Sequence, residues 1–370
     1  MESLRPALAT ARLAAAPRHA YRPVRPLYHC LHLHTSASRC ATPLPHPSVP
    51  GPPPETPTPA PSASDALERV ARKKRQAEML QQAKGARASA AKPASPLKKR
   101  FWNDVNVRES EHGLQVFLDS RPVRTANKDT LTVPASKHQL ASAIALEWDL
   151  LVSAQQALKT HYIPMTSLAA RANDIVVADA KGDERVRGSI LELCMRYLET
   201  DTLLCWAPEH VMNDVKQNGK TLRELQEEVA TGIIAYLTNH VWPGVQIKPI
   251  LDADSIVPID QPENTKDVIR GWISALPAYE LAGFERAVLA SKSVLIATRL
   301  VHEWSEGLAH LRQPDAEKTF GIEQAAEAAS LEVRWQIRAW GEVEDTHDVE
   351  REDMKRQLGS VILLVGGDSA

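Results

Sequence analysis

The chain is short of most features that would assign it a chemistry. Its 370 residues hold only four cysteines, Cys30, Cys40, Cys194 and Cys205. None forms a C-x-x-C pair or has a His or Cys at zinc-finger spacing, so free thiols in a reducing compartment are the simplest reading. No apolar run approaches the ~18 residues needed to cross a bilayer, which predicts no stable membrane insertion. The formal net charge is −2, so nucleic acid is not favoured as a partner. There is no G-x-G-x-x-G and no G-x-x-x-x-G-K-S/T, hence no phosphate cradle. H-E-x-x-H and G-x-S-x-G are also missing. The densest run of metal-type side chains is Glu344, Asp345, His347, Asp348 and Glu350. On a helix these point several ways, so a solvated acidic turn is expected and no metal. Glu147 and Asp149 flank Trp148 and do not face each other on a helix, so they make no acid and base pair. Cys194 and Cys205 stand at apolar positions and read as buried thiols. No catalytic residue, metal ligand or cofactor is expected.

What is present is unevenly distributed. Residues 1–40 contain Arg5, Arg12, Arg18, Arg22, Arg25 and Arg39, and after Glu2 the next acidic residue is Glu55. An Arg-rich, Ser/Ala-rich, acid-poor start is the pattern of a mitochondrial transit peptide, drawn along an inside-negative potential. Residues 41–97 are Pro-rich, then basic, with Arg72-Lys73-Lys74-Arg75 in the second part. They cannot bury enough apolar surface to offset their ordering entropy and read as a linker.

From residue 98 the texture changes. Val105 and Val107, then Leu114, Val116 and Leu118, alternate with polar residues, separated by turn signals at Glu111-His112-Gly113 and Asp119-Ser120-Arg121-Pro122. Connections this short require antiparallel pairing. A further short strand pair is expected between Val123 and Val133. Helical periodicity follows. Leu140, Ile144, Trp148 and Leu151 form one stripe, read as structural core. Helices are expected over 222–239, 263–276, 278–310 (split at Gly283 or Gly307) and 322–340. The fold class is α+β: a small antiparallel β-rich domain over 98–180, a helical bundle over 181–358, and a tail over 359–370.

Several stretches in order resemble one family. They begin with Lys99-Arg100-Phe101-Trp102 and Gly113-Leu114-Gln115-Val116-Phe117-Leu118-Asp119-Ser120-Arg121-Pro122. They continue with Ala145-Leu146-Glu147-Trp148-Asp149, Pro164-Met165-Thr166-Ser167-Leu168, Tyr197-Leu198-Glu199-Thr200-Asp201-Thr202-Leu203, and Trp335-Gln336-Ile337-Arg338-Ala339-Trp340-Gly341. Together they are similar to the mitochondrial assembly chaperones of the F-type ATP synthase alpha subunit. The resemblance covers about 98–355. It implies an orthogonal helical bundle after the β-rich domain, no catalytic activity, and a location in the mitochondrial matrix, loosely associated with the inner membrane. It also implies the unassembled alpha subunit as partner, and a functional acidic residue in the last long helix, by position Glu332; a monomer is expected. The chain departs from the family in its long N-terminal extension and in Val333-Arg334 after Glu332.

On a continuous 322–340 helix, Ile322, Ala326, Ala329, Val333, Ile337 and Trp340 form the main apolar stripe. Glu332 lies roughly 100° to one side, among Ala325, Ala328, Trp335 and Ala339. One reading is a central helix packed on two sides, with Glu332 paired to a base such as Arg299. The other is a client-contact face of Glu332, Trp335, Ala325, Ala328 and Ala339. Two competing functions stay open: a matrix enzyme with a dispersed acid/base site, and an RNA or ribosome accessory protein using the basic arm.

Overall fold

The structure is a computed structural model. It describes residues 74–75, 99–208, 216–217, 219–251, 257–312, 319–343 and 345–368. The expected transit and linker segments, with Cys30 and Cys40, lie outside the described residues except for the helical fragment 74–75. Contacts divide the chain into Met1–Gly85 and Ala86–Ala370. The sheet and every helix from His138 onward belong to the second unit.

The chain opens with strands β1 (Val105–Ser110), β2 (Gly113–Leu118), β3 (Arg121–Pro122) and β4 (Thr132–Val133). β2 is the hub. It pairs antiparallel with β1 along its length, with β3 at its C-terminal end and with β4 at its N-terminal end. The alternation read from sequence holds, since Leu114, Val116 and Leu118 are all buried. Gly113 is required in the first turn. Its φ is +132°, and a Cβ there would stand 2.3 Å from the carbonyl oxygen of Val133 on β4. The strand pair expected over Val123–Val133 shrinks to an isolated bridge between Arg124 and Thr130, plus β4.

Helix α1 (His138–Leu150) covers the sheet with Leu140, Ala141 and Ile144, all fully buried. Trp148 is only half-buried, because it sits at the edge where three segments meet. Its indole N–H donates to Thr166 Oγ1 at 3.0 Å. Trp102 stacks edge-on against it at 5.5 Å and donates to its carbonyl. Leu151 completes the expected stripe as a buried residue.

Helices α2 (Pro164–Ala180), α3 (Arg185–Leu198), α4 (Leu222–His240), α5 (Glu263–Ala275), α6 (Ala278–Ser291) and α7 (Val294–Trp304) follow. α6 touches α2, α3 and α7. The expected break at Gly283 or Gly307 falls instead at Lys292. That residue adopts a left-handed conformation (φ 56°), and Ser293 caps α7 through Ile296 N–H. Asp201, fully buried, accepts from Val294 N–H (2.7 Å), Leu295 N–H (3.1 Å) and Leu203 N–H (3.0 Å). A helix start in the core needs such partners for its orphan donors.

The last expected helix is two helices: α8 (Ile322–Ala329) and α9 (Leu331–Trp340), broken at Ser330. α10 (His347–Val365) closes the fold. Residues 359–365, read from sequence as part of a tail, are its last turns, and Leu358, Val361, Leu364 and Val365 have no exposure. Lys137 Nζ donates to the Val365 and Gly366 carbonyls at 3.0 and 2.8 Å. Asp368 in turn accepts from His138 and Gln139 N–H at the start of α1. The end of the last helix and the start of the first are thus clamped to each other, each with charge of the favoured sign. Buried apolar residues from Trp102 to Val365 form one continuous core.

Candidate functional site

The break at Ser330 sets up the most distinctive surface of the molecule. α8 is held on three sides, by α6, α7 and α10, while the main helix neighbour of α9 is α4. Ser330 Oγ donates back to the Ala326 carbonyl at 2.6 Å, which turns the chain as α8 ends. The two helices therefore do not share one phase. The apolar stripe drawn through 322–340 holds over Ile322, Ala326 and Ala329; beyond the break only Ile337 stays half-buried. Val333 is 38% exposed and Trp340 81% exposed.

A groove of about 190 Å³ opens at the break. Leu203, Val229, Ala328, Ala329, Leu331 and Met354 give it an apolar lining, and Lys292, Glu332, Arg334, Glu350 and Arg351 supply charge. Trp340, Val343 and Val349 add exposed apolar surface on the segment that leads from α9 into α10. Two exposed ion pairs lie around the groove, Arg334–Glu327 at 3.3 Å and Arg351–Glu342 at 3.7 Å. Pairs so exposed add little stability.

The five residues of the expected contact face separate. Glu332 is exposed in the groove, and its Oε1 accepts from Gln336 Nε2 at 3.1 Å. Ala328 lines the same groove half-buried. Ala339 is exposed near the end of α9. Trp335 is half-buried away from the groove lining, where its carbonyl accepts from Gln217 Nε2 at 3.1 Å. Ala325 has no exposure at all, because α8 presses it into the core. It cannot touch a partner while the fold is intact. The suggested pairing of Glu332 with Arg299 is not made. Arg299 is engaged by Glu303 at 2.8 Å and lies over the Tyr236 ring at 3.1 Å from its centroid.

Sequence reasoning missed Leu331 and Lys292 as lining of this groove, and Trp340 and Val343 as exposed apolar surface beyond it. A usable signal was there. Ser330 followed by Leu331 and Glu332 is an N-terminal cap pattern, with an acidic residue in the first turn.

Shifted acidities elsewhere trace to packing. Burial pushes the Cys194 thiol up to about 12 and also raises Cys205. Burial raises the Glu147 carboxyl, opposed by its bonds from Met165 N–H (2.5 Å) and Thr166 N–H (2.9 Å) at the start of α2. Burial also lowers His302 to about 4, and its Nδ1 shares a 2.8 Å hydrogen bond with the Tyr236 hydroxyl. Among the described residues no three His, Cys, Asp or Glu side chains converge as metal ligands. Glu344, of the acidic run, lies outside them.

Known proteins share both the sequence and the architecture. The family model described as ATP12 chaperone protein matches residues 99–238. A mitochondrial atp12 protein of Schizosaccharomyces pombe is 31% identical over 289 residues, covering 74% of this chain and 86% of that one. A mitochondrial ATP12 protein of Saccharomyces cerevisiae is 32% identical over 276 residues, covering 71% and 82%. The crystal structure of Atp12 from Paracoccus denitrificans superposes with a TM-score of 0.51 at 20% identity, over 72% of this chain and 96% of that chain. A putative chaperone from Agrobacterium tumefaciens gives 0.51 at 22%, over 72% and 85%. These two structures bear on the fold, which is α+β with strands first and helices after.

Proposed function

This chain belongs to the ATP12 chaperone family, and we propose that it serves assembly of the F-type ATP synthase in the mitochondrial matrix by binding the unassembled alpha subunit. It works as a monomer and without catalysis. An unassembled subunit exposes the apolar interface that its neighbour later covers, and such patches drive aggregation. A protein that masks the patch must offer apolar surface of its own, with charge to fix orientation, and must leave when the true neighbour arrives.

The observation that supports this reading best is the groove at the α8–α9 break. It combines an apolar lining with an accessible carboxylate on Glu332, and α9, which forms one wall, ends in the exposed Trp340. Aromatic anchors with a charged surround are the usual make-up of an interface that carries binding energy. Four of the five residues expected from sequence, Glu332, Ala328, Trp335 and Ala339, keep at least partial exposure on α8 and α9.

The test is aggregation of purified alpha subunit diluted from denaturant, followed by light scattering with and without equimolar full-length chain. Scattering is expected to fall, and Trp340→Glu is expected to abolish the protection while leaving the melting curve unchanged. Undiminished scattering in the presence of the unaltered chain would sink the proposal.

A further inference from the structure

A second cavity shares no lining residue with the groove, although both draw on α10, and its chemistry is different. It measures about 170 Å³ and sits where the turn Thr160–Tyr162, the start of α2, the middle of α6 and the second half of α10 meet. Its polar lining includes two guanidinium groups (Arg286 and Arg356), the His161 ring, and the hydroxyls of Thr160, Ser167 and Ser360. No carboxylate lines it.

The two arginines are in different states. Arg356 is fixed. It donates to the Asp353 carboxylate outside the cavity, and its Nη1 reaches the His161 carbonyl at 3.4 Å. Asp353 is further held by Gln357 Nε2 at 2.6 Å. Arg286 is half-buried on α6, and no hydrogen bond or ion pair ties it to any described residue. Its neighbour in sequence, Glu285, is used up by a two-bond fork from Arg171 at 2.8 and 2.9 Å. The site thus carries two positive charges against one carboxylate, with one guanidinium fork unsatisfied.

A partly buried, unpaired guanidinium is costly unless something satisfies it. Water can do so. However, a fork, a second fixed guanidinium and the hydroxyls of Thr160 and Ser167 match an oxyanion, which accepts at several oxygens at once; the Ser360 hydroxyl is spent on the Arg356 carbonyl at 2.9 Å. The volume fits as well. At roughly 30 Å³ per water, the space corresponds to nearly six waters, enough for a five-atom tetrahedral anion. A further cavity of about 350 Å³ shares Ser167, Leu168 and Arg286; Ala126, Ala282 and Leu289 line part of it, and the charged Arg171, Asp174 and Glu285 the rest. An organic substituent on the anion would have room there.

We propose that this cavity binds a phosphate-type oxyanion, either inorganic phosphate or the phosphate of a small monoester, through Arg286 and Arg356. The site is independent of the client groove, so its success or failure is separate from the chaperone reading. Because the cavity joins α2, α6 and α10, an anion there ties the start of the helical part to the last helix, and binding raises the melting temperature.

The experiment is calorimetric titration of the full-length chain with inorganic phosphate and, separately, adenosine monophosphate, in low-salt buffer. Thermal melts accompany it. Saturable binding is expected for at least one of them, sulfate should compete, and chloride at equal ionic strength should not. Arg286→Gln is expected to weaken binding by roughly tenfold or more, the equivalent of one lost charge-assisted bond. Its melt without phosphate should stay close to that of the unaltered chain, since Arg286 has no hydrogen bond to lose and only its through-space attraction to Asp353 goes. Tighter binding of the monoester than of phosphate assigns the adjoining cavity to the substituent, and the reverse assigns free phosphate. No saturable binding of either, or equal binding by Arg286→Gln, would overturn the proposal.

Discussion

Gly283→Ala sets two known effects against each other. Gly283 lies inside α6, where replacing Gly by Ala ordinarily gains about 1 kcal/mol of helix propensity. Here the new Cβ would stand 2.5 Å from Val365 Cγ1, 3.5 Å from Val361 Cγ1 and 3.6 Å from Leu364 Cδ2. Carbon atoms prefer about 3.5–4.0 Å, so α6 and α10 must separate by about 1 Å at the first of these contacts. Val365 has little freedom to give way. Its side chain is β-branched and stiff, and its carbonyl is held by Lys137 Nζ at 3.0 Å. Overpacking of this kind costs typically 1–3 kcal/mol, enough to outweigh the propensity gain, and a net loss of about 1 kcal/mol is expected. Gly271 in α5 is the control, because nothing lies within 4 Å of its would-be Cβ. Gly271→Ala should stabilise by up to about 1 kcal/mol. Val365→Ala alone leaves a void, and in the double variant Gly283→Ala/Val365→Ala the new methyl group partly fills it. The two changes should therefore couple favourably by about 1–2 kcal/mol. Urea unfolding at constant m-value measures all four variants. If Gly283→Ala is as stable as the unaltered chain, or the pair is additive, α6 and α10 are not packed as described.

Three further outcomes rest on contacts already named. Glu332→Gln should shift stability by no more than about 0.5 kcal/mol, as for other exposed sites, while lowering capture of the alpha subunit in a pull-down; clear destabilisation with full capture would contradict the contact role. Trp148→Ala should cost about 2–3 kcal/mol, less than for a fully enclosed Trp, through the lost Thr166 bond and the Trp102 edge contact; a normal melt with failed client binding would refute this. Burial raises the Asp201 carboxyl from 3.8 to about 6, so the folded state holds its proton more tightly than the unfolded chain. Its contribution is therefore full below about pH 4 and is lost as pH rises through 6, a change of roughly 3 kcal/mol; the stability gap between the unaltered chain and Asp201→Asn, measured from pH 4 to 7, should narrow by that amount, and a flat gap would disprove it.

The legible parts of the fold were those governed by short-range periodicity. Leu114, Val116 and Leu118 alternate and are buried; Leu140 and Ile144 recur at helical spacing and are buried. What failed was phase across breaks. The local mark at the end of α6 is only Ser293, the N-cap of α7; the rest of that turn is held from far away in the chain, by Thr202 N–H on the Lys292 carbonyl (3.2 Å) and by Asp201 on the start of α7. Gly283 does not mark a break. It is there because α10 crosses it, and that is a long-range fact. At Ser330 the local signal existed, but the strong alanine-rich pattern of 322–329 carried the reading through it. Once the phase is lost, Trp340 moves from the expected core to the surface, and Ala325 moves from the expected surface to the core.

The fate of the buried carboxylates bears directly on what this molecule does. Glu147, Asp201, Glu280 and Glu303 each sit in or near the core, and a search for unusual acids stops at them first. Each is already occupied. Glu147 accepts from Met165 and Thr166, and Asp201 from Leu203, Val294 and Leu295. Glu280 Oε1 accepts from Ser305 Oγ (2.8 Å) and Gly307 N–H (3.2 Å), and Glu303 holds Phe320 N–H (2.8 Å) and Arg299. A carboxylate whose lone pairs are taken by main-chain donors cannot also remove a proton from a substrate without releasing the helix or turn that it holds. Such a group joins segments of the fold. Glu332 is the counter-example on the same chain. It accepts one side-chain bond, from Gln336, and otherwise faces the groove. On the reading proposed above, its remaining lone pairs would take a cation brought by the partner.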